Sequence, residues 1–414
     1  MLAVPLRRNR EFVLLQAGQL LSSTGSQLTA VAYPLLVLAV TGSAAQAGVV
    51  GFARLLPAAL LALPAGVAAD RWDRRRLMVS ADAVRVVAVG ALGIAILLDR
   101  LELWAIALVA LVEGIGSALF RPAYAGALRS VVPASQLPAA AGAQTGREAA
   151  VQLAGPPLGG ALFGVARALP FLVDAVSYAF STVSLLLLRT PFQEEREVDA
   201  APLRTRLAEG FRFLWAHSFL RTCAFLFGLA NFIGPGVLLA IVVIAEDQGL
   251  TGGQVGLLVS VFGGAILLGS VLSPYVRRRL PVRGVLLLEL WTWVGCGLFL
   301  IWPNVYVLTG SIVPTGLAIP STDSVVHSYQ LAMTPDRLIG RVNSVQRTIG
   351  LLIAPLGPLV AGLLLGATSE RATIAVFAAF GLVLALWGTL SPSLRGAPSL
   401  EEITELPVPE GAGS

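Results

Sequence analysis

Residues 66–76 read GVAADRWDRRR and follow directly on a long apolar run. Gly66 has no side chain, and glycine lets two helices approach closely in a membrane. Asp70 stands where the apolar run ends, in a position to meet a helix N-terminus or a guanidinium group. The arginines that follow favour a cytoplasmic position for this short loop. The stretch therefore indicates a tight cytoplasmic connection between two membrane-spanning helices.

The composition places most of the chain inside a membrane. Of its 414 residues, 56% are hydrophobic and only 13% are charged, whereas soluble domains carry about a quarter charged residues. A soluble chain of this length needs far more polar surface than these side chains provide. The composition therefore indicates a membrane-embedded protein and excludes a soluble multi-domain enzyme.

The inventory of reactive side chains excludes several kinds of chemistry. All 29 basic residues are arginine, so the chain lacks the lysine of a P-loop and of Schiff-base catalysis. No G-x-S-x-G stretch marks a hydrolase nucleophile. The histidines and cysteines are too few and too scattered for a metal site or a disulfide framework, so we expect no cofactor and no metal. These residues are His217, His327, Cys223 and Cys296.

Apolar runs long enough to cross a bilayer recur along the whole chain. A spanning helix needs about 20 apolar residues, and twelve such runs are separated by charges, proline or glycine. The first run lacks a small-residue cleavage site, so it is predicted to be an anchor rather than a removable signal peptide. The predicted spans are 12–40, 44–67, 77–98, 102–120, 137–165, 168–188, 218–245, 253–276, 284–302, 304–330, 338–366 and 371–391.

The arginines predict the orientation of these spans. With the N-terminus in the cytoplasm, nearly all arginines outside the spans lie inside, and only Arg100, Arg167 and Arg371 lie outside. This strong positive-inside bias requires both termini to be cytoplasmic. We therefore expect a multi-pass protein of the cell (inner) membrane. Because the basic residues report topology, a nucleic-acid partner is not expected.

The longest polar stretch, 189–217, divides the predicted spans into six and six. This stretch is rich in proline and acidic residues. The end of the chain is rich in proline, glycine and glutamate, a composition that is typical of disorder. The predicted organisation is an N-terminal six-helix bundle over 1–190, a cytoplasmic linker over 191–217, a C-terminal six-helix bundle over 218–392 and a disordered cytoplasmic tail over 393–414.

The two halves contain an internal repeat with an offset of 202 residues, the difference between Pro335 and Pro133. Its clearest element is a Gly-Pro pair in the fifth span of each half, at 155–156 and 357–358. Chance matches among abundant residues are the alternative, and two Gly-Pro pairs in one register argue against it. Parallel six-helix halves are a transporter architecture with the substrate between the halves at mid-membrane. Further matched pairs are Gln144 with Gln346, Gly160 with Gly362, Leu162 with Leu364 and Gly164 with Gly366.

The loop at 66–76 resembles the signature loop of the Major Facilitator Superfamily, which has a glycine, an acidic-basic pair and a basic cluster between helices two and three. With the twelve spans and the repeat, the resemblance covers nearly the whole chain. It implies an all-α membrane protein with twelve transmembrane helices in two pseudo-symmetric six-helix bundles. The sequence departs from the family at Ala68, where leucine is usual, and at Asp73, where glycine is usual.

In that family the acid of this loop is thought to latch the two halves in one conformation. The resemblance implies this role for Asp70. The matching stretch of the second half, 269–279, has arginines but no aspartate, so any latch is one-sided. The implied partners of the latch residue are Arg71, Arg74 and Arg75.

The fifth span contains GPPLGG at 155–160. This stretch resembles the family's antiporter motif, a glycine series that ends in Gly-Pro-x-x-Gly-Gly, although Val151 stands where another glycine is usual. A proline at Pro156 frees the carbonyl four residues earlier and bends a helix, and the glycines permit close packing. The motif favours an exporter, and simple helix packing is the alternative. The motif residues are Gly142, Gly155, Pro156, Gly159 and Gly160.

Other stretches indicate one branch of the family. In the fourth span, Ala110 stands at the usual arginine of drug antiporters and Glu113 at a common glutamine, so the chain departs from that pattern. Residues 120–123 and 334–342 resemble instead the branch that contains macrolide efflux proteins and the enterobactin exporter.

Ionisable groups inside the spans are the candidates for a transport site. Such groups cost several kcal/mol in a bilayer, so they line a cavity or pair with one another. By a rise of 1.5 Å per residue, Arg54, Glu113 and Arg147 each lie roughly 15 Å deep, near the midplane. Equal depth and opposite charge predict that Glu113 pairs with Arg147 or with Arg54.

The second half has its own set of ionisable residues. Asp323 and His327 are four residues apart and share a face of the tenth span, and Arg347 lies deep in the eleventh. Glu289 and Asp174 are expected to be structural, because their spans are peripheral in the family that the chain resembles.

The sequence thus predicts a secondary active transporter that exports a small, partly lipophilic compound, such as a drug, an antibiotic or a siderophore. Proton antiport through alternating access is the expected mechanism, with Glu113 or Asp323 taking up a proton as its exposure changes, because a low-dielectric site favours a neutral carboxyl group. Static ion pairs that hold the helices together are the alternative for each acid. The expected partners are the substrate, protons and the lipid bilayer, and we expect a monomer.

Two other functions are compatible with parts of this pattern. An importer or facilitator of the same fold is the first alternative. A membrane-embedded lipid-modifying enzyme requires a clustered acid/base or nucleophile set at a membrane face, and the sequence shows none. A non-transporting receptor is a third alternative.

Overall fold

The computed structural model describes residues 5–192 and 203–396, and these residues form helices and no β-strand. Short 3₁₀ helices cover Leu6–Arg8, Ala134–Gln136 and Val294–Leu300. The α-helices are α1 (Arg10–Thr41), α2 (Ala44–Leu60), α3 (Ala62–Arg71), α4 (Arg74–Leu97), α5 (Leu103–Val131), α6 (Leu137–Val165), α7 (Leu169–Leu187), α8 (Leu203–Ala216), α9 (Ser218–Ala230), α10 (Ile233–Asp247), α11 (Gly252–Arg279), α12 (Val282–Trp293), α13 (Val305–Met333), α14 (Asp336–Ile353), α15 (Leu356–Ala367), α16 (Glu370–Leu390) and α17 (Pro392–Arg395).

The apolar helices match the predicted spans. Within the described residues, ten helical segments are long and apolar enough to cross a membrane, and the bent pair α2–α3 adds an eleventh. The remaining predicted span, 137–165, is α6, which has the same bounds but carries Arg147, Glu148 and other polar residues. The predicted all-α membrane architecture is therefore confirmed.

Three of the predicted spans break into two helices four residues before a proline. Proline has no N–H for the carbonyl four residues earlier, and its ring crowds that carbonyl. Each break therefore falls where the sequence removes a backbone hydrogen bond, and a bend of 52° separates α2 from α3. In each case the residue whose carbonyl loses its partner lies four positions before a proline, at the end of the first helix or in the break. These pairs are Leu60 with Pro64, Asn231 with Pro235 and Ala354 with Pro358.

The chain divides into two compact units. The first unit contains the described residues up to 192, together with Pro235–Gly264 and Pro355–Thr373. The second unit contains residues 203–234, Ala265–Ala354 and 374–396. The predicted bundle boundaries at 190 and 218 stay a prediction.

The predicted linker and tail both contain ordered residues. Helix α8 lies within the linker, and α17 includes the first residues of the predicted tail. Ser393 Oγ lies 2.8 Å from Thr222 Oγ1 of α9, so the prediction that disorder begins at 393 is wrong for these residues. The rest of the predicted tail, 397–414, and the linker residues 193–202 lie outside the described residues.

Helix α1 packs against α2, α5, α6 and α7 in the first unit, because its glycines and those of its neighbours let the backbones approach. Gly18 and Gly25 face serines of α7, and a side chain at Gly25 would overlap Ser177. On the side of α1 that faces α6, a Cβ atom at Gly159 of α6 would lie 2.7 Å from the Leu28 Cα atom. Close approach of this kind is typical of small residues in membrane helices.

Replacing Gly159 with alanine should destabilise the protein by about 1–3 kcal/mol, because the Leu28 backbone moves only if α1 itself moves. The midpoint of thermal unfolding of the purified protein in detergent measures the effect. Gly142→Ala in the same helix is the matched control, since a Cβ atom there meets nothing within 4 Å. Alanine favours a helix over glycine, so the control should unfold at the wild-type temperature or slightly above it. Equal midpoints for the two variants would contradict the prediction.

Candidate functional site

A buried ion pair joins the second and fourth predicted spans. Arg54 of α2 donates to Glu113 Oε1 of α5 at 2.6 Å and to the Ser26 carbonyl oxygen of α1 at 2.8 Å. Glu113 is 3% exposed, whereas the Arg54 side chain is 21% exposed. Of the two pairings that the sequence predicts for Glu113, the structure contains the one with Arg54.

The close approach of α2 and α5 brings these two side chains together. Gly114 follows Glu113 and lies against the backbone carbonyl of Arg54, where any Cβ atom would overlap the carbonyl oxygen. A Cβ atom at Gly114 would also lie 3.0 Å from the Pro57 ring. Glycine is therefore the residue that lets the two backbones come close enough for the ion pair.

Tyr33 of α1 lies beside this ion pair. Its ring centre is 5.4 Å from the guanidinium carbon of Arg54, which is within cation–π range. Tyr33 Oη and Glu113 Oε2 are both buried, and the two groups are close enough to act on each other. Tyr33 therefore forms part of the surroundings of the Arg54–Glu113 ion pair.

A second buried ion pair, on α4, lies outside the predicted site residues. Asp82 and Arg85 are three residues apart, form an ion pair and are both buried. The guanidinium carbon of Arg85 lies 4.3 Å from the Tyr178 ring centre, and Tyr178 Oη lies 2.8 Å from Ser26 Oγ. Because the carbonyl of Ser26 accepts from Arg54, the two ion pairs belong to one polar cluster.

Asp174 of α7 is the third acid of this cluster. It is 0% exposed, and its carboxyl group lies against Thr29 and Ser177. The sequence predicts a structural role for Asp174. Its contact Thr29 lies about one turn along α1 from Ser26, so Asp174 adjoins the same cluster. We call the following set the buried network: Tyr33, Arg54, Asp82, Arg85, Glu113, Asp174 and Tyr178.

Arg147 does not join the buried network. It donates to Gln16 Oε1 at 2.5 Å and to Tyr124 Oη at 3.0 Å, and Glu148 lies 3.7 Å away. Gln16 lies in the second turn of α1 and Tyr124 near the end of α5. Arg147 therefore lies nearer the ends of these helices than the predicted midplane, and its predicted alternative pairing with Glu113 is absent from the described residues.

The glycine motif of α6 brings its backbone against α11. A Cβ atom at Gly252 would lie 2.5 Å from the Gly160 carbonyl oxygen, and one at Gly160 would overlap the Gly252 carbonyl. The Pro156 carbonyl in turn leaves no room for a side chain at Gly256. The motif is therefore a contact surface between helices on this side of α6. Its other contacting glycines, Gly155 and Gly159, face Gln27 and Leu28 of α1.

The repeat-related residues of α15 make the same kind of contact with α2. A Cβ atom at Gly48 would lie 2.6 Å from the Pro358 carbonyl oxygen and 2.9 Å from the Gly362 Cα atom. Pro358 corresponds to Pro156 and Gly362 to Gly160 in the 202-residue repeat. Each matched pair therefore has matched surroundings, and the repeat is confirmed at these residues.

The arginines of the 66–76 loop hold the segment that follows α7. Arg74 donates to the Phe192 carbonyl at 3.0 Å, and Arg75 donates to the Thr190 carbonyl at 2.9 Å. Asp70 lies 3.8 Å from Arg74, and its side chain is 56% exposed. An exposed ion pair contributes little, so the strong bonds of this loop run from arginine to backbone. A latching role for Asp70 stays a prediction.

Three predicted motif residues have open surroundings. A Cβ atom at Gly66 or Gly142 would meet nothing within 4 Å, and Arg71 is exposed. The close helix approach predicted at Gly66 is therefore wrong for the part of the chain that the structure describes, because no neighbouring helix reaches that face of α3.

The second unit contains the remaining predicted site residues. Asp323 and His327 lie one turn apart on the exposed side of α13, and Arg347 is exposed on α14. Glu289 of α12 is buried and close enough to Asp323 to act on it electrostatically. No cluster of three or more potential metal ligands occurs in residues 5–192 and 203–396.

The buried ion pairs and the repeated glycine contacts both lie in helices that match predicted membrane spans. The family described as "Transmembrane secretion effector" matches residues 2–411, and the chain belongs to this family of the Major Facilitator Superfamily. The resemblance stated from the motifs is thereby confirmed, and the chain is a transporter rather than an enzyme.

Named relatives cover nearly the whole chain. It is 27% identical over 417 residues to the multidrug efflux pump Tap of Mycolicibacterium fortuitum, with 92% of this chain and 96% of the relative covered. It is 24% identical over 376 residues to macrolide efflux protein A of Streptococcus pyogenes, with 85% and 89% covered. Among solved structures, a bacterial homologue of the iron transporter ferroportin superposes with a TM-score of 0.73 at 19% identity, covering 93% of this chain and 99% of that one. This likeness confirms the fold.

Glu113→Gln should destabilise the protein by about 3 kcal/mol, because removing one partner leaves the Arg54 charge without its carboxylate. The double variant Arg54→Gln/Glu113→Gln should recover part of the loss, and a double-mutant cycle of unfolding free energies measures the coupling. Glu102→Gln, an exposed acid just before α5, is the control and should leave stability unchanged. Additive effects of the two single substitutions would show that the pair contributes no coupling.

Proposed function

We propose that this protein is a proton-driven exporter of small, partly lipophilic compounds such as drugs, antibiotics or siderophores. The observation that carries the proposal is the near full-length similarity to relatives named as multidrug and macrolide efflux proteins. Apolar spans with few buried charges suit such compounds better than sugars. Export proceeds by alternating access, with the substrate site opening first to one side of the membrane and then to the other.

The buried network supports coupling to protons. The charge of Glu113 holds Arg54, whose side chain is partly exposed. Protonation of a carboxylate removes the attraction that holds a neighbouring arginine. Uptake or loss of one proton therefore changes how α2 is held against α5. In the second unit, Asp323 is the corresponding residue, because it lies on the exposed side of α13 beside His327.

The glycine contacts of the first unit support alternating access. The contacts of Gly160 with Gly252 and of Gly362 with Gly48 lie near helix ends that face the outside if the N-terminus is cytoplasmic. Backbones this close leave no space for a substrate between them. We call these contacts the outer seal, and export requires that the seal opens and re-forms in every cycle.

The proposal includes the predicted topology. Both termini are cytoplasmic, the bundles 1–190 and 218–392 are joined by a cytoplasmic linker, and the protein acts as a monomer in the inner membrane. The arginine excess on one side of the spans supports this orientation. The 66–76 loop then lies on the cytoplasmic side, where Asp70 acts as a latch with its neighbouring arginines.

Purified protein in liposomes should accumulate erythromycin or ethidium against a gradient when a pH gradient is imposed. Glu113→Gln and Asp323→Asn should lower the gradient-driven rate by about tenfold or more, as loss of a coupling interaction does. Glu102→Gln should transport at the wild-type rate. Full activity in both site variants would contradict the assignment of these acids, and accumulation of either probe by energised cells would favour the importer.

Gly160→Leu should abolish net transport of either probe, because leucine overlaps the Gly252 backbone and prevents the outer seal from closing. Gly164→Leu, about one turn along the same helix, should retain transport, since a Cβ atom there meets nothing within 4 Å. Amounts of each variant in the membrane are measured alongside the transport rate. Wild-type transport by a correctly inserted Gly160→Leu variant would show that the cycle does not need this contact.

A further inference from the structure

Asp174 has surroundings unlike those of the other two acids of the buried network. No guanidinium group among the described residues lies within ion-pair distance of it, whereas Glu113 and Asp82 each pair with an arginine. Thr29 Oγ1 lies 3.0 Å from Asp174 Oδ2, and Ser177 Oγ lies 3.2 Å from Oδ1. The Asp174 carboxyl group therefore meets hydroxyl groups and no cation.

Thr29 Oγ1 donates to Asp174 Oδ2, which is its nearest acceptor, whereas Ser177 Oγ lies nearer a competing acceptor. Ser177 Oγ lies only 2.7 Å from the Asp174 backbone carbonyl oxygen. Thr29 Oγ1 lies 3.1 Å from the Ser26 carbonyl oxygen. An ionised carboxylate requires donors, whereas a protonated one supplies its own hydrogen to a neighbouring oxygen. With one close hydroxyl donor and no cation, the contacts leave an ionised Asp174 carboxylate poorly compensated.

The charge balance of the buried network leads to the same result. Three carboxyl groups stand against two guanidinium groups, so full ionisation leaves one uncompensated negative charge in a buried site, which is costly. A single proton makes the network neutral. The ionisable groups around Asp174 are Tyr33 on α1, Arg54 on α2, Asp82 and Arg85 on α4, Glu113 on α5 and Tyr178 on α7 itself. The charged residues of α6, Arg147 and Glu148, are engaged with Gln16 and Gln144.

Close packing keeps water away from this carboxyl group. Asp174 is 0% exposed, and Gly25 of α1 lies so close that any Cβ atom there would overlap Asp174 Oδ1. A Cβ atom at Gly25 would also lie 3.0 Å from the Asp174 Cα atom. Water reaches the carboxyl group only if α1 and α7 separate or shift.

We propose that Asp174 carries a proton in the first unit alongside Glu113, and this inference rests on the proposed proton-driven function. While α1 and α7 are closely packed, Asp174 holds its proton. When the network opens to water, the O–H bond breaks, the proton passes to a water molecule, and the admitted water solvates the carboxylate. The affinity for the proton therefore changes with the conformation, which is the requirement for coupling.

Infrared difference spectroscopy of the purified protein tests where the proton lies. The spectrum of the wild type minus the spectrum of the Asp174→Asn variant should show the C=O stretching band of a protonated carboxylic acid. In Thr29→Val the band should persist at a shifted frequency, because Thr29 contacts this carboxyl group and neither of the other two acids. Glu289→Gln, which removes a buried acid of α12, is the matched control and should leave the Asp174 band unchanged. A band that Asp174→Asn retains, or that Thr29→Val leaves unshifted, overturns the proposal.

Transport assays in liposomes separate this inference from the proposed function. With ethidium as the probe, Asp174→Asn should lower pH-gradient-driven accumulation by about tenfold or more, while exchange of ethidium without a gradient stays within about twofold of wild type. Wild-type accumulation by Asp174→Asn would overturn the inference and leave the proposed function standing. Absence of gradient-driven accumulation in the wild type would instead refute the proposed function, and the infrared result would still decide the location of the proton.

Discussion

A buried charge must be compensated within the bundle, and this constraint fixes how the first unit is assembled. Arg54 meets it by binding Glu113 and the Ser26 carbonyl together, so one guanidinium group ties α2 to both α5 and α1. Arg85 meets it by pairing with Asp82 and stacking on Tyr178 of α7. The polar groups therefore specify which helices are neighbours and in which register, where lipid-like side chains alone would not.

The glycines satisfy a complementary constraint, because ion pairs form only if the backbones come close enough. Gly114 permits the approach of α5 to α2 beside the ion pair, and Gly25 permits the approach of α1 to α7. The same device recurs in both halves of the sequence at the repeat-related residues Gly160 and Gly362. In each case the proline four residues earlier also presents its carbonyl to a glycine of the neighbouring helix. The repeat thus preserves a way of packing backbones rather than a set of side chains.

The spans were predictable from sequence because hydropathy is a local property. The breaks before Pro64 and Pro358 fall where proline removes a hydrogen bond, but α5 and α13 continue through internal prolines, so this local rule alone does not select the breaks. The choice between Arg54 and Arg147 as the partner of Glu113 was not predictable, since depth counted from the start of a helix ignores how far each helix extends. Arg147 shows the error, because its partners Gln16 and Tyr124 lie outside the buried network. The Asp82–Arg85 pair could be predicted from the sequence, because opposite charges lie three residues apart in an apolar run. Its contact with Tyr178 depends on tertiary packing and could not.

Packing and proton binding are one property of this molecule. Gly25 excludes water from Asp174 only while α1 and α7 are in contact, so the contact that stabilises the helices also keeps the carboxyl group neutral. A conformational change that separates small residues admits water, and admitted water favours the ionised acid. The converse holds by thermodynamic linkage: an ionised Asp174 opposes the closed packing by the same free energy. Small residues along helix contacts therefore do more than permit close approach, because they make the protonation state depend on it.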